Sequence, residues 1–127
     1  MKKEFIKTWK SSRQPRKQRK YRFNAPLHIK SKFMASHLSE ELKKKYSKRS
    51  AIIRKGDKVK IARGQFRGKT GKIDRVDIKG TKVYIMGIEF IKKDGTKVAS
   101  SIHPSNLIII ELNLDDKKRV KTLERKK

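Results

Sequence analysis

The sequence of 127 residues contains no cysteine and no long hydrophobic run. A chain without cysteine has no disulfide framework, no cysteine-type zinc site and no thiol nucleophile. Its longest apolar run is residues 107–110, whereas a membrane helix needs roughly 20 apolar residues. The N-terminal stretch Met-Lys-Lys-Glu-Phe leads into no apolar signal-peptide core. We therefore expect a soluble chain of the cytoplasm that has no membrane partner.

Acidic residues are also scarce. The sequence has 12 Asp and Glu but 38 Lys and Arg, so its net charge is +26. So high a charge opposes compactness through self-repulsion, and the commonest intracellular polyanion that could neutralise it is nucleic acid. A membrane surface is the weaker alternative, because a basic amphipathic membrane helix carries a long apolar face with Trp, Phe or Leu along it. The one tryptophan, Trp9, lies instead among Lys7, Lys10 and Arg13. The composition predicts a nucleic-acid-binding protein.

Shifts in composition divide the chain into four segments, and its length allows one small domain with tails. Residues 1–50 carry +14 of the net charge and only a few large apolar side chains. The first part, 1–23, is predicted to be an extended basic RNA-binding arm, because it cannot offset the entropy of ordering itself without a partner. We expect an extension with short helices at 24–50, a β domain at 51–112 and a basic helix or tail at 113–127.

The end of the arm combines cationic side chains with two aromatics and a proline, which disfavours a helix. Arginine bridges phosphates or stacks on bases, and the aromatic rings offer their faces to an unstacked base. The alternative is a solvated basic tail or nuclear address whose aromatics only anchor it to the domain. The candidate RNA-binding residues of the arm are Arg13, Arg16, Lys17, Arg19, Lys20, Tyr21, Arg22 and Phe23.

Two short helices are predicted in the extension. Asn24 and Pro26 form a helix start, and a mixed apolar and basic stretch follows to Met34. Ser39 is a candidate N-cap for a second helix over 40–47, with acidic residues near its positive end and lysines near its negative end. We expect these helices to brace the arm.

After Arg54 the apolar pattern changes to alternation with regular turn residues, which is typical of a small all-β domain. The spacing of three between Ile73 and Val76 indicates a bulge, and Asp94-Gly95 indicates a hairpin turn. Five short strands favour a small closed barrel over a sandwich, because closure removes exposed edges. The strands are predicted around 59–61, 73–76, 83–90, 98–102 and 107–112.

A short C-terminal helix is predicted behind the barrel. Asp115 and Asp116 precede a basic stretch that runs to Lys127, so acid lies at the start of the helix and base at its end. Only Val120 and Leu123 offer apolar side chains that could dock it.

The most informative stretch is 54–73, which holds four of the seven glycines. Gly56 serves a turn into the first strand, while Gly64, Gly68 and Gly71 allow tight bends and the close approach of a partner. The stretch resembles the KOW motif, a strand, glycine-rich loop and strand found in SH3-like barrels of ribosomal proteins and transcription elongation factors. The resemblance places these loop residues at RNA: Arg63, Gln65, Phe66, Arg67, Gly68 and Lys69.

No enzyme site is indicated. Residues 64–70 end in Gly-Lys-Thr like a phosphate-binding P-loop, but three residues instead of four separate the glycines, and a strand follows instead of a helix. His28, His37 and His103 lack metal-ligand spacing. The acidic residues are scattered among basic ones, as expected for charge neutralisers and turn formers. His103 is expected to cap a turn, with a contact to RNA as the alternative.

The sequence is similar to one ribosomal protein family over nearly all of its length from Arg13. Phe-Asn-Ala-Pro-Leu-His at 23–28, Met-Ala-Ser at 34–36 and Leu-Ser-Glu-Glu-Leu at 38–42 resemble the extension that precedes the barrel in that family. The family is the large-subunit protein numbered twenty-four in bacteria and twenty-six in eukaryotes. The His-Pro-Ser turn at 103–105 and the basic tail are similar to its archaeal and eukaryotic branch.

The resemblance implies an SH3-like barrel that binds the 5′ region of large-subunit rRNA early in assembly and lies near the mouth of the polypeptide exit tunnel. It implies neighbouring ribosomal proteins and factors docking at the exit as further partners, and no catalytic residue, cofactor or metal. His28, Lys30 and His103 are further candidate RNA-binding residues. Residues 1–12 match no family pattern, and the short basic tail favours an archaeal source.

Two other classes of protein remain open. A KOW module of a transcription factor would bind polymerase through a protein surface, although such modules usually accompany a second domain. A DNA-packaging protein would match the charge, but it has no need of a glycine loop or of this extension. Binding to duplex DNA as tightly as to ribosomal RNA would favour the packaging class.

Overall fold

Seven strands and four α-helices are formed by the residues that the computed structural model describes, which are Phe5 and 11–125. Most of the first half of the predicted arm, with Trp9, lies outside the described residues. Over the described part of the chain, no helix is long and apolar enough to cross a membrane. The strands are β1 Ala35–Leu38, β2 Ser50–Ile52, β3 Lys58–Ile61, β4 Thr70–Asp77, β5 Lys82–Ile91, β6 Lys97–Ile102 and β7 Leu107–Glu111. The helices are α1 Pro15–Asn24, α2 Leu27–Phe33, α3 Glu40–Tyr46 and α4 Lys117–Glu124, and a 3-10 turn spans Pro104–Asn106.

The strands form one sheet in the order β2-β1-β7-β3-β4-β5-β6. The predicted mainly β domain with short helices is confirmed, but the prediction of a closed five-stranded barrel needs two corrections. The described residues form seven strands, and the end strands β2 and β6 do not pair with each other. The additional strands are β1 and β2, and β1 runs parallel to β7 with His37 opposite Ile108. A parallel pair joins segments far apart in the chain, so no turn sequence indicates it.

The core is built by alternation, because successive side chains of a strand point to opposite faces of the sheet. Val59 and Ile61 of β3 are buried on either side of the exposed Lys60. The extension contributes Met34 and Leu38, each 1% exposed, to the same core. Burial of such a side chain contributes about 1.5–3 kcal/mol, so the extension and the β domain are stabilised together. The buried cluster comprises Met34, Leu38, Ile53, Val59, Ile61, Ile73, Val83, Ile85, Ile88, Ile102, Leu107 and Ile109.

The bulge and the hairpin turn that local sequence predicts are confirmed. The pairing of β4 with β5 shifts its register between Ile73 and Arg75. In the turn between β5 and β6, Gly95 has φ +81°, the left-handed conformation that glycine adopts readily. The Asp94 carboxylate accepts hydrogen bonds from the Thr96 hydroxyl at 2.6 Å and the Thr96 amide at 2.9 Å. These hydrogen bonds lower the pKa of Asp94.

The prediction of an extended arm is wrong for its second half, which forms α1. Pro15 occupies the start of the helix, where its missing amide hydrogen would have no partner and its fixed φ suits the helix. The lysines, arginines and glutamine that follow are good helix formers. The Tyr21 ring lies 4.9 Å from the Phe5 ring and 6.3 Å from the Phe33 ring, measured between ring centroids. These contacts connect α1 to the preceding segment and to α2.

The two short helices predicted in the extension are confirmed as α2 and α3. α2 begins directly after Pro26, as predicted, whereas Asn24 is the last residue of α1 and takes no part in the start of α2. The Ser39 hydroxyl accepts a hydrogen bond from the Leu42 amide at 3.4 Å, so Ser39 is the predicted N-cap of α3. Glu40 and Glu41 lie in the first turn of α3 and lysines in the last, which complements the helix dipole.

The predicted C-terminal helix is confirmed as α4, and Asp116 is its N-cap. The Asp116 carboxylate accepts a hydrogen bond from the Lys118 amide at 2.8 Å. The helix docks through Leu123, which is 5% exposed, while Val120 is only half-buried. Its second buried residue is Arg119, for which the sequence holds no local signal.

A buried ion pair joins α4 to the sheet. The Arg119 guanidinium donates to both carboxylate oxygens of Asp57, at 2.6 and 2.7 Å, and the two side chains are 7% and 0% exposed. Asp57 also accepts hydrogen bonds from the amides of Arg54 and Asn113, each at 2.8 Å. Arg119 donates in addition to the carbonyls of Asn113 and Ile52. Each buried charge thus has an opposite charge and hydrogen-bond partners, as a buried ion pair requires. These bonds hold together the turn before β3, the segment after β7 and α4.

Removing Arg119 would leave the Asp57 carboxylate buried without its counter-charge. Arg119→Ala should therefore lower the free energy of unfolding by about 3–5 kcal/mol. Arg119→Lys should recover only part of the loss, because an ammonium group lacks the planar fork that bonds both oxygens. The control Lys118→Ala, at the exposed neighbouring position, should change stability by less than about 0.5 kcal/mol. Urea unfolding measures all three variants, and equal losses for Arg119→Ala and the control would contradict this role.

The pKa of Asp116 is lowered by the hydrogen bond from the Arg54 guanidinium and, second, by that from the Lys118 amide. A carboxyl whose pKa is lower in the folded state stabilises the fold above its unfolded pKa, and this contribution is lost as the pH falls through the folded pKa. Asp116→Asn keeps an N-cap side chain. We expect it to be less stable than the native chain at neutral pH and equally stable in acid. Urea unfolding at both pH values measures this; a deficit that persists in acid would contradict the charge effect.

Candidate nucleic-acid interface

The glycine-rich loop between β3 and β4 is held in shape by its own backbone. The Gly68 amide donates to the Ile61 carbonyl at 2.8 Å, and the Ile61 amide donates to the Lys69 carbonyl at 2.9 Å. Within the loop, the Arg67 amide donates to the Gly64 carbonyl at 3.1 Å. Gly64 and Gly68 have φ +97° and +88°, so both bends need the left-handed conformation. The predicted tight bends at these two glycines are confirmed.

Gly71 has a different role from the one predicted. It lies within β4, and its φ is not in the left-handed region. A Cβ atom at this position would lie 2.6 Å from Ile85 Cγ2 and 3.0 Å from the Met86 carbonyl oxygen. Gly71 therefore permits the close approach of β5, not of an external partner.

Four side chains of the loop point away from the core. Arg63, Gln65, Arg67 and Lys69 are exposed, and within the described residues Arg63 and Arg67 form no ion pair. Phe66 is half-buried and packs against the core cluster, and the Lys69 ammonium lies 5.4 Å from the centre of its ring. The loop thus presents three cations on a backbone that is fixed from below, as phosphate binding requires.

The predicted arm residues form a second basic surface on α1 and before it. The basic residues there are all exposed, and α1 contains no acidic residue. Tyr21 is half-buried against Phe5 and Phe33, which is the anchoring role given above as the alternative. Phe23, in contrast, is 81% exposed and can offer its ring to a partner. On α2, His28 is exposed and Lys30 is half-buried.

His103 caps the turn before β7, as predicted. Its Nδ1 atom accepts a hydrogen bond from the Ser105 amide at 3.3 Å and lies 2.8 Å from the Ser105 hydroxyl. Pro104, which follows His103, is buried, and its carbonyl accepts a hydrogen bond from the Ser36 hydroxyl of β1. The turn is therefore fixed from both sides, and His103 itself stays exposed.

The fold brings the glycine loop and the His103 turn together around a cleft of about 200 Å³. Arg63, Gln65 and Phe66 line it from the loop, and none of the arm residues does. Four further polar or aromatic lining residues were not predicted, and their alternation in the strands or their place in a turn gave no functional signal. These residues are Phe90, Ser100, Ser101 and Asn106.

Several of the acidic residues serve the fold. Asp57 pairs with Arg119, and Asp94 and Asp77 accept backbone hydrogen bonds in turns. Among residues 11–125 and Phe5, no three histidine or acidic side chains lie close enough to hold a metal ion. The exposed chemistry that remains is cationic, aromatic and hydrogen-bonding, which suits a nucleic acid.

Comparison with known proteins identifies one family. A family model that describes the eukaryotic ribosomal proteins L26 and their archaeal counterparts numbered twenty-four matches residues 12–126. The large ribosomal subunit protein uL24 of Methanosphaera stadtmanae is 49% identical over 115 residues, which cover 91% of this chain and 98% of that protein. The proteins of the same name from Methanothrix thermoacetophila and Methanocella arvoryzae are each 50% identical, over 90% and 91% of this chain and 98% and 94% of their own lengths. The chain therefore belongs to this family of eukaryotic and archaeal ribosomal proteins.

Proposed function

We propose that this chain is a structural, non-catalytic component of the large ribosomal subunit in the cytoplasm. It binds large-subunit rRNA near the 5′ region, supports early assembly of the subunit and lies near the polypeptide exit tunnel. Its further partners are neighbouring ribosomal proteins and factors that dock at the exit. Relatives about half identical in sequence carry the name of a large-subunit protein, and this supports the assignment to that subunit.

The single observation that carries RNA binding is the glycine loop. Arg63, Arg67 and Lys69 are exposed on a backbone that is already ordered by hydrogen bonds, so binding costs little conformational entropy there. Each cation that neutralises a phosphate releases a counterion, which supplies affinity without reading sequence. The loop therefore provides a rigid contact that orients the β domain on the RNA backbone.

The surface of α1 provides a second contact. The helix buries none of its residues, so its packing supplies little of the stability that a helix of this length needs in water. A phosphate backbone along its basic side chains would stabilise it by neutralising their repulsion. The charges come from Arg16, Lys17, Arg19, Lys20 and Arg22 of α1 and from Arg13 before it, and Phe23 supplies a ring for an unstacked base.

The assignment is tested in cell lysate by crosslinking, separation on a sucrose gradient and sequencing of the attached nucleic acid. The intact chain should migrate with the large subunit and crosslink near the 5′ end of its rRNA. Changing Arg63, Arg67 and Lys69 to Ala should weaken both signals, because three phosphate contacts are lost. The control changes Lys117, Lys118 and Lys121 of α4 to Ala and removes the same charge. Migration of the intact chain with polymerase, or scattering over DNA, would contradict the proposal.

The contribution of α1 is tested by salt dependence of binding to the large-subunit rRNA. Changing Arg16, Arg19 and Lys20 to Gln keeps good helix formers but removes three charges. The slope of log affinity against log salt should become shallower by about 2 to 3, at roughly 0.7–0.9 for each lost phosphate contact. The control changes three lysines of α3 to Gln, at positions 43–45. An equal change of slope in both variants would show that α1 acts only through net charge.

A further inference from the structure

The cleft between the glycine loop and the His103 turn has features that phosphate binding by the loop does not need. Its aromatic surface comes from Phe66 and Phe90, whose ring centroids are 5.1 Å apart at an angle of 57°. Phe66 is fixed by its packing against the core, while Phe90 leaves 44% of its surface exposed. An aromatic ring that is held from one side and open on the other is a stacking platform.

A distortion of β5 places Phe90 in this position. The pairing of β5 with β6 changes from Tyr84 opposite Ser101 to Glu89 opposite Ala99, so the β5 strand gains extra residues and bulges. Gly87 lies in the bulge with φ +76°. Ile88, inside the bulge, is 2% exposed and Phe90, beyond it, is 44% exposed, although simple alternation would place both side chains on the buried face. The bulge thus directs Phe90 to the cleft next to Phe66 instead of into the core.

Three polar side chains of the cleft are available to bind a ligand. In the described part of the chain, the side chains of Gln65, Ser101 and Asn106 form no hydrogen bond. His103 also lines the cleft, and its Nδ1 atom accepts the Ser105 amide hydrogen. Amide and hydroxyl groups both donate and accept, so they can bond the edge of a nucleobase, which presents donors and acceptors side by side.

The size and the charge of the cleft both favour a nucleotide. The cleft of about 200 Å³ is smaller than the roughly 300–1,000 Å³ of sites for drug-sized molecules, and it suits one flat ring. Its lining includes Arg63 and no acidic residue, and Arg67 and Lys69 lie on the same loop. A partner with an aromatic ring beside a negative charge fits this arrangement, and a nucleotide of RNA is such a partner.

We infer that the cleft takes one unstacked nucleobase of the bound RNA. Phe90 stacks on the base, Gln65, Ser101 and Asn106 contact its edge, and Arg63 binds a flanking phosphate. The chain thereby recognises a position where a base is unstacked from the RNA helix. This contact sets where along the RNA the protein binds, which phosphate contacts alone do not determine. This inference rests on the proposed function, since it needs the RNA to be bound.

The test compares full-length variants for binding to a transcript of the large-subunit rRNA. Phe90→Leu keeps an apolar side chain but removes the ring, and it should raise Kd about 5- to 150-fold, the effect of losing one base–aromatic stack. The salt slope should stay unchanged, because no phosphate contact is lost. Phe90→Tyr should retain tight binding. Ile91→Ala is the matched control, since Ile91 is 73% exposed and points to the opposite side of the same strand.

Chemical modification of the Watson–Crick edges identifies the base. One nucleotide should be protected by the intact chain and by Phe90→Tyr, and should become reactive with Phe90→Leu. Gln65→Ala, a change at an exposed position, should weaken protection of the same nucleotide. Circular dichroism of each variant confirms that it is folded.

Three results would overturn the inference. The first is Phe90→Leu binding as tightly as the intact chain with unchanged protection, and the second is an equal loss for Ile91→Ala. The third is normal binding of Phe90→Leu to free rRNA combined with poor retention in assembled subunits, which would assign the cleft to a neighbouring protein. Failure of the intact chain to bind the rRNA would instead contradict the proposed function, so the two failures are distinguishable.

Discussion

The arrangement of the chain depends on one buried carboxylate. Asp57 is completely buried, and its oxygens accept hydrogen bonds from the Arg119 guanidinium and from the amides of Arg54 and Asn113. An ionised carboxylate without these partners would be very costly to bury. The partners come from the turn before β3, the segment after β7 and α4. If these segments separated, the Asp57 carboxylate would be exposed to solvent or left buried without a partner. The same constraint fixes the start of β3, the strand that leads into the glycine loop.

The few acidic side chains of this basic chain are used where they organise backbone. Asp57 joins three segments, Asp116 caps α4 and Asp94 shapes the turn between β5 and β6. The loop residues Arg63 and Arg67 have no acidic partner among the described residues, and α1 contains no acid. The charges that stabilise the fold are therefore separate from these surface cations, which remain available to a phosphate.

Signals that act over a few residues could be read from the sequence. Alternation located the five strands from β3 to β7, the three-residue spacing of Ile73 and Val76 located the bulge, and Ser39 and Asp116 located two helix starts. Each of these features is a matter of side-chain periodicity or a cap that bonds a nearby amide. The proline at position 15 misled for the same local reason, since proline breaks a helix inside it but suits its first turn.

The sequence by itself determined the charge, the β strands of the central domain, the cationic glycine loop and the resemblance that led to the family. Only the tertiary structure decided that β1 runs beside β7, that Arg119 is buried against Asp57, that Tyr21 packs inward and that Phe90 stands beside Phe66 in a cleft. These four features share a physical reason. Each depends on a contact between residues that are distant in the chain. Periodicity, helix caps and turn residues report only on local structure and carry no information about such contacts.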